Sequence, residues 1–174
     1  LGLRFTFSTE HEYSLLTDGS IEWLWKGAEK FQIPVMLMIS GYLQEVEKII
    51  NNHPGIKICI DHLGLVRNAV DEAAFEDLSY LISLSTNKNL VVKLTSLPCY
   101  SSKPYPYHEL HPYIRQIYDT FGPSRMFWGS DITRLTSSYK ECLTLITEEL
   151  PWLSESDKEL ILGGAICKWL GWEI

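Results

Sequence analysis

The sequence predicts an α/β fold on a parallel sheet, and three observations predict it. Five short apolar runs recur along the 174 residues, near 2–7, 35–39, 57–62, 90–95 and 126–131, and a stretch with helical spacing follows each one. No two runs are joined by a hairpin turn, so antiparallel neighbours are not expected. The runs are apolar almost throughout rather than alternating, which is the pattern of strands covered by helices. One domain, residues 1–174, holds them all, because no linker or low-complexity tract divides the chain.

Leu1 to Phe7 reads as a strand with Arg4 its only charge, and Thr9 to Asp18 reads as a polar loop. Ser20 is placed to cap a helix that carries Ile21, Leu24, Trp25, Ala28 and Phe31 on one face. Val35 to Ile39 is a continuous apolar strand that ends on Ser40-Gly41. Leu43, Val46, Ile49 and Ile50 mark the next helix, closed by Asn51-Asn52 and His53-Pro54-Gly55. Lys57 to Ile60 then runs into the polar pair Asp61-His62, and Asp71 is the expected cap of a helix with Phe75, Leu78, Leu81 and Ile82.

Leu90 to Thr95 is the fourth strand. Lys93 inside it must reach solvent or a carboxylate, since an unpaired buried ammonium is costly. A tyrosine- and proline-rich loop, Pro98 to Tyr107, leads to a helix with Leu110, Ile114, Ile117 and Tyr118. Met126 to Asp131 is the last strand. Ser138-x-x-Glu141 and Ser154-x-x-Asp157 are capping boxes for the two closing helical stretches, the second running to Trp169.

Composition narrows the function. A hydrophobic content of 45% and a charged content of 21% are those of a soluble globular protein. A net charge of −7 argues against nucleic acid and against an anionic membrane surface as partners. No apolar run approaches the roughly 18 residues of a membrane span. Cys59, Cys99, Cys142 and Cys167 lack zinc-finger spacing and read as reduced, mostly buried thiols in a cytoplasmic setting. A small-molecule substrate is the expected partner, and a homo-oligomer is left open. The chain opens on Leu1, directly at a strand, which suggests that a natural amino-terminal part is missing.

Parallel α/β sheets collect ligands at the carboxyl ends of their strands. The polar groups there are Ser40, Asp61-His62, Thr95-Ser96 and Ser130-Asp131. Of these, His62 offers an imidazole that titrates near ~6.5, and Asp131 a carboxylate able to accept a proton. Together they could activate water or hold a divalent metal. Each has a plainer use as well: His62 as a cap or loop residue, and Asp131 as the cap of the turn through Ile132-Thr133. Ser40, Thr95, Tyr100 and Arg134 are candidate substrate contacts, with Arg134 suited to an anionic group. Tyr100, Tyr105 and Tyr107 could form a lid, or their loop could simply pack on the fold. His11, His53, His108 and His111 are expected in loops or at the surface.

Several of these segments together resemble a known family. His53-Pro54-Gly55, Ile60-Asp61-His62-Leu63-Gly64, Val92-Lys93-Leu94-Thr95, the run from Phe121 to Asp131 and Leu160 to Ala165 are similar to the amidohydrolase-related metal-dependent hydrolases. The branch most resembled is the lactonase-like one, with fuconolactonase and pyrone-dicarboxylate lactonase relatives. The resemblance implies a TIM barrel whose strands 4 to 8 are the five runs, so the barrel is incomplete in this chain. It implies that Asp131, ending strand 8, is the general base or acid for water attack on a lactone or similar cyclic ester. It implies that His62, ending strand 6, polarises the substrate or, with Asp131, binds a divalent metal such as zinc. The family's His-x-His pair does not occur here, and Met38-Ile39-Ser40 stands where strong metal binders end strand 5 on histidine. The alternatives are a metal-dependent non-oxidative decarboxylase of the same superfamily and a catalytically inactive truncated barrel.

Overall fold

In the computed structural model, which describes residues 2–173, the five strands form a single parallel sheet in chain order. They are β1 (Leu3–Phe7), β2 (Val35–Ile39), β3 (Ile58–Ile60), β4 (Leu90–Thr95) and β5 (Met126–Gly129). Phe7 aligns with Ile39, Leu37 with Ile60, Ile60 with Val92 and Thr95 with Gly129. Each βα unit adds its strand beside the previous one, which is the winding of a TIM-type barrel. Among the described residues β1 and β5 each pair with one neighbour only, so five of the eight strands of such a barrel are present and the sheet stays open.

Alternation along the strands sorts the core into two layers. Val35, Leu37, Ile39, Ile58, Ile60, Leu90, Val92 and Leu94 point outward into the main core, beneath the helices. Each such side chain contributes roughly 1.5–3 kcal/mol by leaving water. The intervening residues Met36, Cys59, Val91 and Phe127 face the other way and pack with Ala165, Ile166 and Trp169 from the end of the chain. Burial drives the Cys59 thiol far above its ordinary range and pushes Cys142 up to about 11, so neither is a ready nucleophile. All four cysteines are free.

The helices follow from their caps and apolar spacing, with three departures from the sequence reading. The stretch expected as a polar loop is helix α1 (Glu10–Thr17), because Thr9 and Glu12 form a reciprocal capping box. None of its residues is buried, so apolar periodicity could not reveal it. Ser20 does not cap α2 (Glu22–Lys30): Ile21 occupies that position, and the Ser20 N–H donates to Asp18 Oδ1 instead. Trp25 and Ala28 are buried in α2 as its spacing demands, whereas Phe31, just past the helix end, is exposed. Asp71 does not cap a helix either. It adopts φ 55° and accepts the Ser102 N–H, while the following helix α4 (Leu78–Ser83) starts later.

The remaining elements match. Helix α3 (Leu43–Asn52) buries the four apolar residues that defined it. Helix α5 (His111–Phe121) buries Ile114, Ile117 and Phe121. Both expected capping boxes open their helices, α6 (Tyr139–Thr147) and α7 (Glu155–Glu159). A wide turn, Leu160–Gly164, then leads into α8 (Ala165–Leu170). His53 is buried rather than exposed, because Glu22 and Glu29 from α2 hold its two ring nitrogens. Among the described residues no helix is long and apolar enough to cross a membrane.

Candidate active site

The polar groups gather where β3, β4 and β5 end. After Ile60 the chain makes a tight turn, Asp61–Gly64, in which His62 (φ 52°, ψ 31°) and Leu63 (φ 57°, ψ 14°) are both left-handed. Non-glycine residues enter that region at a cost of roughly 1–3 kcal/mol each, which the surroundings must offset. Gly64 closes the turn at φ 65°, and a Cβ there would come 3.0 Å from a Leu43 methyl. Glycine is therefore required at the end of the Asp-His-Leu-Gly run.

Asp61 anchors the turn from the inner face of the sheet. It is 3% exposed. Its Oδ2 accepts from Arg4 Nε at 2.7 Å, and its Oδ1 lies 2.6 Å from Lys93 Nζ. The lysine contact is a charge contact outside hydrogen-bonding direction, so Oδ1 has no aligned donor among the described residues. A single carboxylate thus ties β1, β3 and β4 together, and it supplies the partner that Lys93 requires.

His62 is held by Thr95. Its backbone N–H donates to Thr95 Oγ1 at 3.3 Å, and its Nδ1 lies 2.7 Å from the same hydroxyl. Its Nε2 lies 3.6 Å from Asp131 Oδ2. We assign the ring proton to Nε2 on the shorter of two Nδ1 contacts: the Thr95 hydroxyl, able to donate, is at 2.7 Å, and the Thr95 carbonyl, which can only accept, is at 3.4 Å. The Thr95 hydroxyl, already accepting the His62 N–H, then donates to Nδ1, and Nε2–H faces the carboxylate. Burial holds the His62 pKa below the ordinary imidazole value, against the opposing pull of the Thr95 carbonyl and of Asp61 and Asp131. The ring is therefore neutral at neutral pH.

Asp131 follows β5 with φ 46°, and Ser96 Oγ donates to its Oδ2 at 3.0 Å. The Asp131 carbonyl accepts the Arg134 N–H at 2.8 Å, closing a turn that brings Arg134 back over the site. There the guanidinium sits 6.0 Å from the centre of the Tyr100 ring. Tyr100 is buried, and that burial raises its phenol pKa, with Arg134 opposing. Cys99 Sγ reaches the Arg134 carbonyl and links the two loops.

Two adjoining pockets share Asp61 and His62. One, of about 270 Å³, is lined by Arg4, Lys93, Thr95 and Asp131 besides the shared pair. The other, of about 50 Å³, has Phe7, Tyr13, Met38, Tyr100, Arg67 and Arg134 in its wall. Of the candidates from the sequence, Ser40, His62, Thr95, Tyr100, Asp131 and Arg134 line these two pockets. Ser40 lines the smaller pocket, where its Oγ accepts the Arg67 N–H. The Thr95 hydroxyl is taken up by His62. Within the tyrosine loop only Tyr100 lines these pockets; Tyr107 is buried in the core and Tyr105 donates to Glu149. Sequence reasoning noted Asp61 and Ser96 only as polar strand-end residues without a role, and it did not single out Arg4 as a site residue. The signal for Asp61 was Lys93, a strand-interior cation that had to reach solvent or a carboxylate.

The described residues do not make a metal centre by themselves. His62 Nε2 and Asp131 Oδ2 are two donors, whereas a catalytic zinc takes three protein ligands. The third carboxylate nearby, Asp61, is engaged by two cations. No cluster of three His, Cys, Asp or Glu able to hold a metal occurs among the described residues.

The family model described as amidohydrolase matches residues 2–172, nearly the whole chain. The chain belongs to the amidohydrolase family. No curated protein matches it. Among solved structures, this amidohydrolase chain is similar to an amidohydrolase from Burkholderia multivorans with bound zinc, at 19% identity and a TM-score of 0.83, over 99% of this chain and 64% of that one. It is similar to a candidate 2-pyrone-4,6-dicarboxylic acid hydrolase from Acinetobacter baumannii with citric acid bound, at 16% identity and a TM-score of 0.75, over 99% of this chain and 64% of that one. A 5-carboxyvanillate decarboxylase from Sphingomonas paucimobilis matches at 14% identity and a TM-score of 0.66, over 99% of this chain and 58% of that one. At these identities the likeness is one of fold. The chain spans less than two thirds of the length of each of these three structures.

Proposed function

We propose that this amidohydrolase chain carries the reaction centre of a hydrolase that opens a lactone or similar cyclic ester bearing a carboxylate. The observation that carries the reading is the pairing of an imidazole with a carboxylate, 3.6 Å apart on one rim of the sheet, beside a pocket of about 270 Å³. Asp131 takes a proton from water as the water oxygen attacks the ester carbonyl carbon. The negative charge that forms on the carbonyl oxygen is met by the His62 Nε2–H. The tetrahedral species then collapses, the ring C–O bond breaks, and the proton held by Asp131 passes to the departing alkoxide.

Arg4 supports the substrate class. Only its Nε is used, on Asp61, and among the described residues its two terminal nitrogens meet no acceptor. That leaves a planar fork at the pocket wall, the geometry that receives a carboxylate in two parallel bonds. The Acinetobacter baumannii structure with citric acid bound points to the same class of ligand. The partner is accordingly a small molecule, and the four free thiols support a reducing, cytoplasmic setting.

The test is a panel of lactones with and without a carboxylate. Replacing Asp131 by Asn is expected to lower kcat/KM by about 10³-fold or more, and His62→Gln by about 10²-fold. Arg4→Met is expected to raise KM for the carboxylated lactones alone. Full turnover by Asp131→Asn would end the hydrolytic reading.

A further inference from the structure

Ser96 follows β4 with φ 55° and ψ 28°, and it is fully buried. Glycine takes this conformation without strain, whereas a serine there costs roughly 1 kcal/mol or more. The backbone gives no reason for a side chain. The Ser96 N–H donates to the Gly129 carbonyl at 3.4 Å, and its own carbonyl accepts the Cys99 N–H at 2.9 Å, as a glycine would. The Cβ serves only to carry Oγ, and Oγ donates to one acceptor, Asp131 Oδ2 at 3.0 Å.

We propose that Ser96 is a positioning residue for Asp131: its hydroxyl pins Oδ2, fixes the rotamer of the carboxylate, and leaves Oδ1 as the oxygen that receives the proton from water. Oδ2 lies between two groups, Ser96 Oγ at 3.0 Å and His62 Nε2 at 3.6 Å. Oδ1 meets no donor among the described residues. Asp131 is itself left-handed, at φ 46°. The neighbouring residue does the same for the other group, since Thr95 Oγ1 holds His62 Nδ1 at 2.7 Å. One dipeptide at the end of β4 therefore aims both the acid from β5 and the imidazole from β3. The chemical consequence rests on the hydrolytic reading above; the geometry does not.

The experiment compares Ser96→Gly and Ser96→Ala with Asp131→Asn, by steady-state kinetics on a turned-over lactone, by melting temperature and by crystal structure. Ser96→Gly removes the hydroxyl and relaxes the backbone, so it separates aim from folding. Both serine variants are expected to lower kcat by about 10- to 100-fold, the range of a hydrogen bond to a charged group, with KM changed less than twofold. Ser96→Gly is expected to melt no lower than the parent, with Asp131 spread over more than one rotamer. Parental kcat in Ser96→Gly, or Asp131 unmoved in its crystal structure, overturns the proposal. A loss confined to Ser96→Ala and tracking a lowered melting temperature overturns it too, as a structural effect. If Asp131→Asn turns over fully, or no lactone is turned over, the hydrolytic reading fails. The Ser96→Gly crystal structure then decides the positioning claim alone.

Discussion

Lys93 shows what one residue discloses before a structure exists. An ammonium inside an otherwise apolar strand had to reach solvent or a carboxylate, and that much was legible from Leu90 to Thr95 alone. The identity of the partner was not, because Asp61 sits on a neighbouring strand and reads locally as the first half of a polar stop. The pair has a measurable consequence. Lys93→Met leaves Asp61, 3% exposed, with Arg4 as its one remaining cation among the described residues. Unfolding in urea is expected to show a loss of about 2–4 kcal/mol, below the full cost of stripping a buried charge because Arg4 remains. Lys93→Met combined with Asp61→Asn is expected to recover part of that loss, since the uncompensated charge is then gone. His62 and Asp131 were legible as strand-end residues with chemistry. Their left-handed backbones and the serine aimed at one of them were not, because nothing in a sequence of side chains announces a positive φ at a non-glycine residue.

Elements were legible where they bury a face and illegible where they do not. Helix α3 declared itself through Leu43, Val46, Ile49 and Ile50, all buried. Helix α1 buries nothing, and only its Thr9-x-x-Glu12 ends could have marked it. The same boxes make these helices sensitive to acid. Hydrogen bonds from the Ser8 backbone and the Thr9 hydroxyl hold the Glu12 carboxyl below its usual range, and the Ser138 hydroxyl and N–H do the same for Glu141. A carboxyl with a depressed folded pKa stabilises fully above its unfolded value of roughly 4.3, and the contribution disappears as pH falls through the lower folded value. Helicity by circular dichroism is therefore expected to decline as pH drops below roughly 4. A Glu12→Gln, Glu141→Gln double variant is expected to decline less steeply there, having lost that increment at every pH.

At the scale of the whole molecule, the parallel sheet could be read because nearly continuous apolar strands have few other destinations. The outward layer followed from the same runs. The inner layer did not: Met36, Cys59, Val91 and Phe127 looked like more of the same apolar filling, yet they meet the last helix instead of the outer ones. Trp169 packs on Phe127 there, with ring centres 5.6 Å apart. Trp169→Ala is expected to cost about 2–4 kcal/mol and to let a thiol reagent reach Cys59, which the parent protein shields completely. Unchanged labelling of Cys59 in a folded Trp169→Ala protein would show that something other than α8 covers this side. The arrangement also sets an order of events during synthesis. The strands that present the site leave the ribosome before Ala165, Ile166 and Trp169, the described residues that pack on Cys59, Val91 and Phe127, so a nascent chain halted at α7 would lack that apolar contact beneath the rim.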